Sequence, residues 1–172
     1  MTPFENTKHG GLNLKVIKFL FAFLFIFVPT IWAMENEPTS IDGFEIGEEP
    51  PYQFFLEVKH VKTTKNIKWY DSRKYNHSYA LIDNKLLEAC IYIDDPTEEV
   101  FEKEKKKYYI IHGRPDTVAI EKDKTTMYWK GKINTIILEY SLDSIRYSVI
   151  NQELFLDFMR SFMEQAKGGK TV

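Results

Sequence analysis

The sequence predicts an α+β fold, a mostly antiparallel β-sheet laid out as a meander with helices packed on one face, preceded by an N-terminal signal peptide. Three observations predict it. Four β-branched and aromatic runs between residues 117 and 150 are separated by turn residues, a further pair of runs flanks Asp83-Asn84-Lys85, and two other segments carry helix caps or three-and-four spacing of apolar residues. The 172 residues with 44% hydrophobic content suffice for one core, and a net charge of −2 provides no broad basic field for phosphate backbones, so nucleic acid is not an expected partner.

The first element is an apolar run from Phe19 to Met34, broken only by Pro29 and Thr30, behind Lys15 and Lys18 and ahead of Glu35 and Glu37. A basic flank, an apolar stretch and a closing small residue make a secretory signal peptide over 1–33, with cleavage expected after Ala33. An uncleaved anchor is the competing reading. Spanning a bilayer takes about 20 predominantly apolar residues, and this run, ending in Pro29 and Trp32, is shorter. The single cysteine, Cys90, lies far from that segment, which excludes a lipoprotein anchor at the new terminus as well as an intrachain disulfide. Cleavage leaves 139 residues with 20 Lys+Arg against 24 Asp+Glu. The expected location is secreted or periplasmic, with membrane contact only if residues 19–34 are retained.

Residues 34–50, rich in Glu, Pro and Gly, are expected to form a flexible leader and a short first strand around Ile41 to Ile46. A single domain over 51–167 follows. Residues 51–63 fit two periods: Tyr52, Phe54, Leu56 and Val58 alternate, while Phe54, Val58 and Val61 share a helical face, and the prolines at 50 and 51 favour a helix start. Ser78–Ile82 and Leu86–Ile93 around Asp83-Asn84-Lys85 predict a hairpin. Asp95, Pro96 and Glu98 predict the start of a helix over 96–110 that stops at Gly113 before Arg114 and Pro115. Strands are expected at 117–121, 125–130, 133–140 and 144–150. Asn151 then caps an amphipathic helix bearing Leu154, Phe155, Phe158, Met159, Phe162 and Met163, ended by Gly168 and Gly169, with 168–172 a frayed tail.

The chemistry-bearing residues give little. His60, His77 and His112 have spacings unlike any compact metal motif, so no metal site is expected, and His112 reads as a dipole-favoured cation in a last helical turn. Asp94-Asp95 reads as a turn and cap rather than an acid/base pair. No nucleophile elbow, P-loop, dinucleotide fingerprint or zinc-protease motif occurs, so no catalytic residue and no cofactor is assigned. Cys90 sits in an apolar strand-like run and reads as a buried thiol. The lysines at 103 and 105–107 interleave with Glu98, Glu102 and Glu104 as on a solvated helix face. Asn76-His77-Ser78 is an N-glycosylation sequon, meaningful only in a eukaryotic source. The stretch Trp69, Tyr70, Arg73, Tyr75, His77 and Tyr79 mixes aromatics with cations and lacks clean alternation, which makes these six the candidate binding residues of an exposed loop.

The order of elements, from Gly43-Phe44-Glu45-Ile46-Gly47 through the helix ending at His112-Gly113-Arg114-Pro115 to Tyr128-Trp129-Lys130-Gly131-Lys132 and the strand 133–140, resembles small exported bacterial α+β domains of unknown function. More distantly it is similar to the helix-plus-meander repeats of β-lactamase inhibitory proteins and small outer-membrane assembly lipoproteins. The Tyr-Gly turn of those domains is not reproduced, since Ile110, Ile111 and His112 separate Tyr109 from Gly113. The resemblance implies a non-catalytic module that binds another envelope or secreted protein, and it carries over no binding residue. The alternatives from the residues themselves are a small-ligand carrier or an enzyme with an unmarked pocket, and a membrane-anchored protein.

Overall fold

In a computed structural model of the chain, residues 34 and 36–168 are described. The expected signal peptide over 1–33 and the cut after Ala33 lie outside these residues, as does the tail beyond 168. Among the described residues no helix is long and apolar enough to cross a membrane.

A two-residue pair, β1 (Ser40–Ile41) and β2 (Phe44–Glu45), opens the fold where one short strand was expected. It folds back on itself because Asp42 and Gly43 both take positive φ, 55° and 79°, as the turn between them requires. The ambiguous stretch that follows is both things in turn: helix α1 (Tyr52–Glu57), then strand β3 (Val58–Thr64). Phe54 and Val58 are the buried residues of both readings, so the two periods coincide there and part only afterwards. The expected helix over 51–63 is therefore corrected to one and a half turns.

Strands β4 (Ile67–Ser72), β5 (His77–Ile82) and β6 (Lys85–Asp94) complete an antiparallel meander with β3. Asp83 and Asn84, with φ of 48° and 64°, form the two-residue connection of β5 to β6 whose twist matches the strands it joins. Helix α2 (Glu98–His112) starts two residues later than Asp95 would dictate: the Thr97 side chain accepts the Val100 N–H at 3.3 Å and is the cap. Asp95 instead has φ of 46° and donates its N–H to Asp143. Gly113, at φ 79°, ends α2 as expected.

A second meander follows, β7 (Thr117–Glu121), β8 (Lys124–Lys130), β9 (Asn134–Ser141) and β10 (Ser144–Asn151), close to the expected bounds. Asn151 Oδ1 accepts the Leu154 N–H at 3.0 Å and caps helix α3 (Gln152–Gly168). The eight long strands form one sheet in the order β3-β4-β5-β6-β10-β9-β8-β7. Helix plus four-stranded meander thus occurs twice, and the halves join through their last strands, β6 and β10, antiparallel.

The α+β class and the antiparallel meanders are as the sequence predicts, and the packing adds a detail to where the helices lie. The larger core joins α1 (Phe54) and α2 (Phe101, Tyr108) to the front face of the sheet, which bears Tyr79, Leu81, Ala89, Met127, Trp129, Ile136, Leu138, Tyr147 and Val149. A smaller cluster holds Leu154, Phe155 and Phe158 of α3 against Ile67, Ile82, Leu87, Ile137 and Ile150, which point the other way. One helix therefore covers part of the reverse face. Alternation demands this, because Ile150 follows Val149 and Ile137 follows Ile136 on their strands.

The N-terminal strap is fastened rather than loose. Glu37 accepts the backbone N–H groups of Lys132 and Ile133, each at 2.8 Å, and of Asn134. Only glycine fits at 131, since a Cβ there would stand 2.4 Å from the Glu37 carboxyl carbon. Asn134 Nδ2 donates to Pro38 O at 2.9 Å, and Asn36 Nδ2 to Ile111 O at 3.4 Å. The leader is thus tied to both the end of α2 and the β8–β9 turn.

Candidate functional site

The stretch from Trp69 to Tyr79 is two strands and a tight connection, and the six candidate residues divide between environments. Trp69 and Tyr70 are neighbours on β4, so they face opposite ways. Tyr70 points to the front, its ring 5.8 Å from Phe54 and 5.3 Å from His60. Trp69 points to the reverse, half-buried, with the Lys62 ammonium 5.6 Å from its ring centre. Arg73 is taken up by the fold: its Nε donates to Val58 O at 3.0 Å and its N–H to Glu57 O. Tyr79, only 2% exposed, belongs to the core and not to a loop.

Tyr75, His77 and Tyr79 do come together, around a residue the sequence reading missed. His77 and Tyr79 are two apart on β5 and so share the front face, where both reach Asp42 Oδ2 at 2.5 Å. The exposed Tyr75 ring lies 5.4 Å from the His77 ring. Burial, reinforced by the hydrogen bond to Asp42, raises the Tyr79 pKa, so its hydroxyl stays protonated and donates. One carboxylate oxygen bound to two donors makes a clasp between the β1–β2 turn and the sheet. The only sequence signal for Asp42 is the turn pair Asp42-Gly43; its partners are 35 and 37 residues away.

A second cluster lies on the reverse face at the seam between the halves. Register places Ser78, Cys90, Ser148, Ile137 and Tyr128 in one row across five strands, with Tyr92, Arg146, Glu139 and Thr126 in the next. Glu88, in the row before, receives the Arg146 guanidinium and the Cys90 thiol, the latter at 3.2 Å. Ser148 Oγ is 3.2 Å from the Cys90 sulfur, and Ser78 donates to the Tyr92 hydroxyl at 3.3 Å. Burial and then the Glu88 charge push the Cys90 thiol up to about 12, against the opposing pull of Arg146. The thiol is protonated and unreactive at neutral pH. Burial works against the charge of Arg146, but Glu88 outweighs it and keeps the guanidinium ionised. Its Nε makes no hydrogen bond among the described residues, while the side chain remains 31% exposed.

Among the described residues, helix α3 covers only the end of this face nearest Ile67, Leu87 and Ile150. Towards the other end stand half-buried Tyr92, Arg146, Glu139, Tyr128 and Lys124, with Lys124 paired to Glu139 at 3.1 Å. Rigid strands hold these side chains at fixed spacing, so they present a flat patch of tyrosine and paired charge.

His112 departs from its sequence reading. It is buried beside Tyr108, Tyr147 and Trp129, and burial lowers its pKa, so it is neutral instead of a dipole-favoured cation. Nδ1–H donates to Asn36 O at 3.2 Å, which leaves Nε2 to accept the Tyr147 hydroxyl at 3.3 Å.

Among the described residues no group of three or more His, Cys, Asp or Glu is placed to hold a metal ion. A groove of about 410 Å³ lies between residues 132–133 and α3. Several of its polar groups are taken by neighbours: Gln152 Nε2 donates to Gly131 O and Asn134 O, and Arg160 pairs with Asp157 at 3.0 Å. No family model matches the chain, and neither the curated proteins nor the solved structures provide a match.

Proposed function

We propose that the chain is an exported, non-catalytic domain that binds another envelope or secreted protein. The observation that carries this reading is the end of the reverse face that no described helix covers, where Tyr92 and Tyr128 stand with Arg146, Glu139 and Lys124 on rigid strands. Tyrosine and arginine on a partly desolvated patch are among the residue types that anchor protein interfaces. Export rests on the basic, apolar and small-residue succession of residues 15–33. The groove beside α3 favours a small-ligand carrier less, because its amide and one of its two cations are engaged within the fold.

The test is affinity capture with the full chain, wild type against a Tyr92→Ala/Tyr128→Ala variant whose circular dichroism matches wild type. A specific envelope or secreted protein held by wild type and lost from the variant supports the proposal. Equal capture by both removes the patch as the binding surface, and no captured protein overturns the reading. Tyr70 and Tyr79 are unsuitable for such a test, since their rings pack against Phe54.

A further inference from the structure

The two ends of the eight-stranded sheet are unequal. At one end β3 is interrupted by a bulge between His60 and Lys62 and presents Lys59 and Lys62, the devices by which an edge strand is kept from pairing. At the other end β7 pairs with β8 in unbroken register, contains no proline or lysine, and turns Val118 and Ile120 out at 45% and 79% exposure. Tyr109, whose ring edge meets Trp129 on the neighbouring strand, and Ile110 and Ile111 at the end of α2 add exposed apolar surface. Among the described residues β7 pairs with β8 alone, and a regular, apolar edge without a second partner is a template for another strand.

We infer that β7 pairs antiparallel with β7 of a second copy of this chain, joining two sheets about a twofold axis at Ala119. The sequence of the edge is complementary to itself in that register. Val118 falls opposite Ile120 of the other copy, twice over, Thr117 opposite Glu121, and the flanking Asp116 opposite Lys122, so that opposite charges close both ends. A shift of register by two residues would set Val118 against Lys122 and lose both charge pairs. The sheet already contains one joint of this kind, the antiparallel seam of β6 with β10. The proposal is independent of the reverse-face patch.

Symmetry supplies the test. Residues on the axis meet their own copies, so Ala119→Cys brings two thiols to facing positions, within disulfide reach. Thr117→Cys leaves its thiols four residues apart along the strands, about 13 Å, out of reach. The native Cys90 is buried and does not interfere. Under mild oxidation of the full chain, Ala119→Cys is expected to give a reducible dimer at least tenfold faster than Thr117→Cys, and adding Ile120→Lys is expected to abolish the difference. Equal rates for the two cysteine positions, no dimer from Ala119→Cys, or linkage to a different protein would each overturn self-pairing.

Discussion

The two halves share a topology and differ in what holds it. In the first, α1 has six residues, no side-chain cap at its start, and one buried residue, Phe54. That ring is gripped edge-on by Phe44, Phe55, Tyr70 and Tyr79, and the β1–β2 turn is clasped to β5 through Asp42. In the second, α2 has fifteen residues, a Thr97 cap and a Gly113 stop, and it lays Phe101, Tyr108 and His112 along the sheet. Tyr108 and His112 form one stack with Tyr147, and Phe101 stacks on Tyr140 at 4.2 Å. A short helix can thus take the place of a long one when residues from outside the half pack and hydrogen-bond beside it. The first half leans on the β1–β2 turn in place of a long helix; the second has a long capped helix of its own, and the Asn36–Pro38 strap adds hydrogen bonds at the end of that helix and at the β8–β9 turn.

The largest effects should come from the anchor of each half. Trp129 is 1% exposed and its Nε1 donates to Gly113 O at 3.0 Å. Trp129→Ala and Phe54→Ala are each expected to cost about 3–5 kcal/mol, read as denaturant midpoints. If the halves were independent, each variant would split the transition in two; one shifted transition for both is expected, because β6 and β10 bury the seam between them. Next is the seam itself. Glu88→Ala strands the Arg146 guanidinium, and with Arg146 31% exposed the loss should be about 2–3 kcal/mol rather than the full value for a sealed pair. A loss below 0.5 kcal/mol in urea titration would show that the pair contributes little to joining the halves.

Smaller changes sharpen the contrast between the helices. Thr97→Ala is expected to cost about 1 kcal/mol, measured as a fall in melting temperature, whereas α1 has no such side-chain cap to lose. The smallest effect is on pH dependence. His112 has a folded pKa below its unfolded one, so the unfolded chain binds the extra proton. Stability is full above the unfolded value near 6.5 and falls as pH drops through the folded pKa. Melting curves of His112→Gln should therefore decline less than wild type on acidification from pH 7; an identical decline would show that His112 is not the source of the sensitivity.

What could be read from the sequence follows the same division. The second half was legible strand by strand because its turns are marked by Asp123, Gly131 and Asp143 and its runs are β-branched. The Asp83-Asn84 hairpin and the Asn151 cap were legible for the same local reason. Residues 52–64 were not, since Phe54 and Val58 satisfy both periods and only the packing of Phe54 decides between them. Thr97 was passed over for Asp95 because both suit a cap, and the contact of Asp95 N–H with Asp143 across the fold chooses. The Asp42 clasp and the Glu88–Arg146–Cys90 cluster were invisible because their members lie 35 or more residues apart or alternate along a strand. Strand register brings the second together, and the packing of the β1–β2 turn against β5 brings the first.

The attachment of Glu37 to the turn at 132–134 has a practical corollary for anyone handling this protein. Trimming the chain past residue 36 would leave three amide groups bare at the far side of the domain, so proteases should find a natural stopping point near the start of the strap. An affinity handle fused at that end needs a spacer before Asn36, or it will compete with the domain for its own fastening.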